Sequence, residues 1–335
     1  MRVAVLSPVA WRTPPRHYGP WEQVAWNIAS GVAALGVDVT LYATGDSLSP
    51  GKLEYIIEKG YEEDRSADAK VAECMHISYL IERAGEYDLI HNNFDFMPLA
   101  WSRLIDTPMV TTIHGFSSPR IIPVYKRYND RVHYVSISNS DRSNELEYIA
   151  TVYNGIDQSQ FTFREDHGDY LLFFGRIHHD KGAYEAVQIA RLAGKKLLIA
   201  GIVQDEHYFR EKVEPFIDGD RVVYLGSAEP TQRDELLGCA LALLHPINFE
   251  EPFGLSVAEA MFCGTPVIAF NRGSMPELIS HGETGFLAGS VEEAAGFVEH
   301  VKEVPRRKCR ERAMANFSLE KMAAGYLDVY RRILE

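Results

Sequence analysis

Glu251 and Glu259 stand in the densest chemical stretch of the chain, Glu251-Pro-Phe-Gly-Leu-Ser-Val-Ala-Glu259-Ala-Met-Phe-Cys-Gly264-Thr-Pro266-Val. The pattern reads as a loop, a helix starting near Gly254, a Gly-Thr-Pro stop and a strand. One carboxylate then precedes the helix and the other lies over a turn into it. Backbone N–H groups around Gly254 have no intrahelical partner at such an N-terminus, and they suit anions and hydroxyls. A carboxylate beside them can accept paired hydroxyl protons from a sugar or ribose diol. Two solvated glutamates on an amphipathic helix would show the same spacing.

A pair of cations forms the second constellation. Phe173-Phe174-Gly175-Arg176 ends a strand at a glycine, and Lys181-Gly182 follows just before a helix. Arg binds phosphate oxygens in a bidentate fork and Lys adds a point charge, so together they can neutralise a departing diphosphate without a metal. An isolated pair of this kind is commonly just solvated. In the first half, Thr112-Ile113-His114-Gly115 puts His114 at a strand end, and His91 ends the strand before it. Either imidazole could hydrogen-bond a sugar or move a proton, and either could equally be structural. Tyr18-Gly19-Pro20-Trp21-Glu22 turns the first strand into the first helix. Gly19 there permits close backbone approach to a ligand, with Glu22 in the first helical turn.

The elements that must position these residues alternate between short apolar runs and helical patterns, the signature of parallel βαβ units. First-half strands read as Val3–Leu6, Val37–Tyr42, Leu89–His91, Met109–Ile113, Val132–Ile137 and Thr151–Tyr153. Glu22–Leu35 is helical and Gly36 stops it. Residues 45–68 read as loop with uncertain helix. Asn154-Gly155-Ile156-Asp157 brings turn chemistry and a domain boundary. Strands then resume at Leu171–Phe174, Leu197–Ala200, Val222–Leu225, Ala242–His245 and Val267–Phe270, with Thr231 reading as a helix N-cap. An amphipathic helix runs from Leu319. These readings give residues 1–157, 158–318 and a terminal helix 319–335. Two doubly wound domains in tandem put a ligand between them, beyond the carboxyl ends of the strands. Neither GxGxxG nor GxxxxGK[ST] is present, so dinucleotide and P-loop readings lose support.

With 335 residues, two domains are the expected number. The net charge of −13 excludes general nucleic-acid binding, which needs clustered cations. Four scattered cysteines without a CxxC pair fit a reducing compartment and give no zinc signal. The short apolar run at Val3–Leu6 suits a buried strand better than a leader or a membrane span, so a cytoplasmic protein is expected. Asp218-Gly219-Asp220 reads as a turn, and no metal site is expected. Arg120, Lys126, Arg127 and Arg131 form a basic stretch that suits a solvated helix face better than a membrane or an acidic acceptor.

Taken as a set, Thr112–Gly115, Asn154–Asp157, Gly175-Arg176 with Lys181-Gly182, Glu251–Val267 and Gly273-Ser274-Met275-Pro276-Glu277 resemble family 4 retaining glycosyltransferases of the GT-B fold. They follow the family's order over nearly the whole chain. The compact length and the Gly-Arg…Lys-Gly-Ala segment look closest to the branch containing the avilamycin-pathway enzyme. The resemblance implies two Rossmann-like domains, an acceptor-side first and a nucleotide-sugar-binding second, and a last helix crossing back to the first. It implies that Arg176 and Lys181 bind the donor diphosphate, Glu251 the donor sugar and Glu259 the ribose. It also implies that the backbone at Phe253, Gly254 and Leu255 touches sugar and phosphates, that His114 faces the reacting carbon, and that Gly19 lets the first loop close over the phosphates. The family's usual Gly-Gly pair is Gly19-Pro20 here, and proline removes one N–H. The expected reaction moves a hexose from UDP-glucose or GDP-mannose, UDP being slightly favoured, to a small-molecule, glycan or lipid-linked acceptor. No cofactor and no metal are expected. A non-hydrolysing nucleotide-sugar epimerase and an inactive nucleotide-sugar-binding scaffold are the alternatives.

Overall fold

Strongly apolar runs buried on both faces make parallel strands, and this chain folds them into two sheets. The computed structural model describes residues 1–16, 19–115 and 118–335, so Tyr18 of the first turn lies outside the described residues. Met1–Gly155 and Leu319–Glu335 form one compact unit, and Ile156–Ser318 form the other.

The first unit holds β1 (Arg2–Leu6), β2 (Asp38–Tyr42), β3 (Lys52–Glu54), β4 (Leu89–Asn92), β5 (Met109–Ile113), β6 (Val132–Ser136) and β7 (Tyr148–Thr151). They pair in the order β3-β2-β1-β4-β5-β6-β7. Every pairing is parallel. The second holds β8 (Tyr170–Phe174), β9 (Lys196–Ala200), β10 (Val222–Tyr224), β11 (Ala242–His245), β12 (Val267–Phe270) and β13 (Gly285–Ala288). Their order is β10-β9-β8-β11-β12-β13, again all parallel. Strand order reverses between β1 and β4 in one sheet and between β8 and β11 in the other. In open α/β sheets, ligands bind at such switch points, beyond the strands' carboxyl ends.

The unit boundary falls two residues before the one read from Asn154–Asp157. Ile156 donates its N–H to Phe317 O at 2.8 Å and so belongs to the second unit. Gly155 stays with the first, its carbonyl accepting from Asn27 Nδ2 at 2.8 Å. The last first-unit strand is Tyr148–Thr151, earlier than the expected Thr151–Tyr153. Inside the stretch expected to be loop, Lys52–Glu54 forms the edge strand β3. Thr231 is not an N-cap: the helix runs Pro230–Cys239, with Glu229 as its cap residue and Pro230 preset for its first position. Asp234 turns to another segment instead, accepting from Thr162 N at 2.7 Å and from Arg164 Nη2 at 2.8 Å. The Asp218 side chain folds onto its own turn, accepting from the N–H groups of Asp220, Arg221 and Val222.

The helix Leu319–Leu334 packs in the first unit against the helix Pro20–Ala34. Small residues let them close: a Cβ on Gly31 would lie 2.8 Å from Ala323 Cβ. Its buried face is Met322, Ala323, Tyr326, Val329 and Tyr330. Of the expected basic stretch, Lys126 pairs with Glu145 at 3.0 Å, and Arg131 donates to Ser102 O and Ile105 O. No described helix is long and apolar enough to cross a membrane.

Candidate active site

At the second unit's switch point, the loop after β8 carries Arg176 and Lys181 and the loop after β11 carries Glu251. Glycine makes their contact possible. Gly182 has φ 77°, and a Cβ there would meet Pro246 O at 1.8 Å. Asn248 N–H also donates to Asp180 O at 2.7 Å, zipping one loop to the other. Lys181 Nζ is thereby delivered to Glu251 Oε2 at 2.5 Å, and it lies 4.6 Å from the centroid of the Phe249 ring. His245, at the end of β11, places Nε2 3.5 Å from the same carboxylate oxygen.

Both members of the pair are largely buried, the Lys181 side chain 17% and the Glu251 side chain 10% exposed. Burial works to raise the Glu251 carboxyl, but His245 and the Lys181 ammonium together hold it down to about 2. It is an anion at neutral pH, able only to accept hydrogen bonds. A third segment buttresses it. Ser274 N–H donates to Glu251 O at 2.9 Å and Ser274 Oγ to Phe253 O at 2.7 Å. The Phe253 ring is buried and meets Phe317 edge-on at 5.7 Å, so only its backbone is left to face a ligand. Gly254 caps the helix Leu255–Phe262 at φ 90°, and Leu255 is its first residue.

Glu259 lies in that helix with its side chain 12% exposed, and Arg233 Nη1 stands 3.3 Å from its Oε1. Burial raises the Glu259 carboxyl above its ordinary value, and the Arg233 charge opposes this. Arg233 is itself held from two other sides, by Gln160 Oε1 at 3.3 Å and by the Phe161 ring at 5.0 Å. The helix bearing it is anchored at its far end by Arg306, which donates to Gly238 O at 2.6 Å and Ala240 O at 3.0 Å. Arg176 joins neither carboxylate. It hydrogen-bonds the Gln204 side chain, from the loop after β9.

In the first unit, Gly19 caps the helix Pro20–Ala34, Asn93 follows β4 and His114 follows β5. His114 Nε2 lies 3.0 Å from Asn93 Oδ1, while His114 Nδ1 and Asn93 Nδ2 are both buried without a partner. Trp21, in the first helical turn, stacks near His114 at 6.2 Å. Burial pushes the His114 imidazole down to about 4, so it is neutral at physiological pH. With Nε2–H donated to Asn93, its Nδ1 lone pair is free to accept a hydrogen bond from a hydroxyl. Gly19 has φ 155°, and a Cβ on it would meet Pro15 Cβ at 2.9 Å and Glu22 Oε2 at 3.0 Å. Internal crowding alone requires glycine there. Glu22 accepts from Trp11 N–H at 3.2 Å, and burial raises its carboxyl to about 7.

His91 is not a site residue. It is fully buried, with Nδ1 2.6 Å from Tyr330 OH and Nε2 2.8 Å from Thr112 Oγ1, and burial lowers it to about 3. His245, Arg233, Gln204 and Asn93 contact these residues without belonging to any of the sequence motifs above. His245 and Asn93 follow the same rule that singled out His114, being polar residues at the carboxyl end of a strand. Arg233 and Gln204 carry no local signal.

Residues 139–318 match the family Glycosyl transferases group 1, and residues 21–160 match Glycosyltransferase Family 4. The chain is 24% identical to the glycogen synthase of Mycobacterium tuberculosis, over 98% of this chain and 94% of that protein. Its fold is similar to that of AviGT4, a glycosyltransferase involved in avilamycin A biosynthesis, with a TM-score of 0.73, 23% identity, and 100% and 98% of the two chains covered. It is also similar to Anabaena Alr3699/HepE in complex with UDP and glucose, with a TM-score of 0.74, 19% identity, and 99% and 100% covered.

Proposed function

The chain belongs to the group 1, family 4 glycosyltransferases of the GT-B fold, and on that premise we propose that it transfers a hexose from a nucleoside diphosphate sugar to an acceptor hydroxyl, with retention at the anomeric carbon and without a metal. The observation that carries this reading is the Lys181–Glu251 pair at the second switch point, with Arg176 on the same loop as Lys181. It offers cations for a diphosphate and an ionised carboxylate for sugar hydroxyls in one crevice.

Donor binding exchanges partners. The diphosphate draws the Lys181 ammonium and the Arg176 fork from their present contacts, which frees Glu251 to accept from the hydroxyls of the transferred sugar. Backbone N–H groups at Gly254 and Leu255 add donors at the start of their helix. Glu259 accepts from the ribose diol, and His114 Nδ1 accepts a hydrogen bond from a hydroxyl of the transferred sugar. Charge then builds on the leaving phosphate, where fixed cations stabilise it without reorganising. The acceptor hydroxyl attacks from the face the phosphate leaves, and a phosphate oxygen takes its proton. No carboxylate nucleophile is needed, unlike most retaining glycosidases. The UDP and glucose bound by the HepE relative support a uridine donor of glucose type.

Calorimetry in EDTA with UDP and UDP-glucose tests the carboxylate roles. Glu259→Gln weakens UDP itself by roughly 1.5–3 kcal/mol, the scale of a lost charge-assisted hydrogen bond. Glu251→Gln leaves UDP binding nearly unchanged but loses turnover and discrimination among donor sugars. Equal loss of UDP affinity in both variants overturns the assignment. An inverted product, or turnover that EDTA abolishes and magnesium restores, overturns the mechanism.

A further inference from the structure

The same loop that carries Arg176 and Lys181 holds two adjacent histidines with no part in the reaction above. His178 and His179 leave the strand side by side, with ring centroids 4.1 Å apart. The loop after β9 runs along them under backbone control. Ile177 donates its N–H to Ile202 O at 2.8 Å, and Ile177 O accepts from both Gln204 N and Asp205 N at 3.1 Å. This ladder sets Asp205 opposite the imidazoles, with Oδ2 3.1 Å from His179 Nδ1. The other Asp205 oxygen is already committed, accepting from Tyr208 N–H at 3.0 Å. The carboxylate is therefore oriented before any ligand arrives. Its pKa lies below the ordinary value, first because of that backbone hydrogen bond and then because of His179. Asp180 borders the group as a second carboxylate, 3.1 Å from His179 Nε2 and 3.3 Å from His178 Nδ1.

We infer that His178, His179 and Asp205 bind a divalent transition-metal ion that clamps the loop after β8 to the loop after β9. One ligand atom from each of the three falls within 4.8 Å of the others. Two imidazoles and one carboxylate are the donor set of zinc, cobalt and nickel, whereas magnesium and calcium prefer oxygen alone. An outer hydrogen bond that fixes a ligating carboxylate, as Tyr208 N–H does for Asp205, is a recurrent feature of such sites. His179 is 62% exposed, so the ion has direct entry from solvent and room for water in its remaining positions. Neither Glu251 nor Glu259 belongs to the group. The ion is a clamp on the segment that bears the diphosphate cations, and it takes no part in the transfer.

Zinc chloride titrated by calorimetry into the full chain, without a histidine tag, tests this, with cobalt chloride followed by visible absorption. The expected result is one ion per chain, tetrahedral-type cobalt bands and a zinc-dependent rise in Tm. His179→Ala weakens binding by at least ~10-fold, the loss already seen when only an outer partner of a metal ligand is removed. Asp205→Asn does the same while keeping the side-chain cap on Tyr208 N–H. His300→Ala, which alters an exposed histidine–carboxylate pair elsewhere in the second unit, leaves binding unchanged. Absence of stoichiometric zinc binding overturns the inference, as does wild-type affinity in both His179→Ala and Asp205→Asn.

Discussion

Lys181 holds Glu251 at 2.5 Å inside the second unit, so removing it acts twice. Lys181→Ala takes a cation from the diphosphate and leaves a buried carboxylate with His245 alone. Its turnover falls about a hundredfold, the scale of one lost electrostatic stabiliser, and its stability falls by about 3 kcal/mol, the scale of a broken buried pair. Arg176→Ala loses similar turnover but keeps its Tm, because its partner is the neutral Gln204. Urea denaturation and steady-state kinetics on the two variants check this, and parallel losses of stability would mean the buried pair has no special weight. Arg176, Lys181, Glu251 and Glu259 could be picked from the sequence because each sits in a compact local pattern of loop, glycine and helix start. Their pairing could not. Arg233 reaches Glu259 from another helix, and Gln204 reaches Arg176 from the next crossover, so only the folded sheet order makes them neighbours.

At the scale of elements, the position of Lys181 depends on a glycine rather than on a charge. Gly182 combines a left-handed backbone with a Cβ position only 1.8 Å from Pro246 O. Gly182→Ala must push the loop after β8 off the loop after β11. The expected cost is about 2–4 kcal/mol, in the upper part of single-substitution effects, with UDP affinity reduced alongside. Calorimetry and denaturation check both, and unchanged UDP affinity in the folded variant would separate the loop packing from the site. Strands with apolar runs, such as Met109–Ile113 and Val267–Phe270, were legible to the residue. Lys52–Glu54 was not, since its stability comes from pairing with β2 and two of its three residues are charged. Gly285–Ala288 opens on a glycine that only the closeness of Val267 O explains. The N-terminal end of Pro230–Cys239 differs from the expected one because Asp234, spaced like the acid of a capping box, pairs with Thr162 N–H and Arg164 instead.

At the scale of the whole molecule, the first unit is closed by the far end of the chain through His91. Tyr330 and Thr112 hold the two ring nitrogens, and Thr112 Oγ1 lies 2.9 Å from Tyr326 OH. Burial, followed by the charge of His114, lowers His91 to about 3 from an ordinary 6.5. A depressed histidine stabilises the fold fully above pH 6.5 and loses that contribution as pH falls towards 3. The excess stability of wild type over His91→Gln therefore shrinks by about 1.4 kcal/mol per pH unit below 6.5. Every tryptophan (Trp11, Trp21, Trp26 and Trp101) lies in the first unit, so fluorescence-detected denaturation reads that unit alone. A stability gap that stays constant between pH 6.5 and 4.5 would show that His91 is not held neutral.

The return of Leu319–Glu335 to the first unit also sets an order of events on the ribosome. Domains generally fold as they emerge, the N-terminal one first. Here Tyr326 and Tyr330, which fill the core beside His91, are translated after every residue of Ile156–Ser318. The unit whose synthesis starts first is thus completed after the other has all its residues. Until Leu319–Glu335 has emerged, the strand end bearing His114 waits on an unfinished core, while the unit bearing Lys181 and Glu251 already has all its residues. Assembly runs opposite to synthesis.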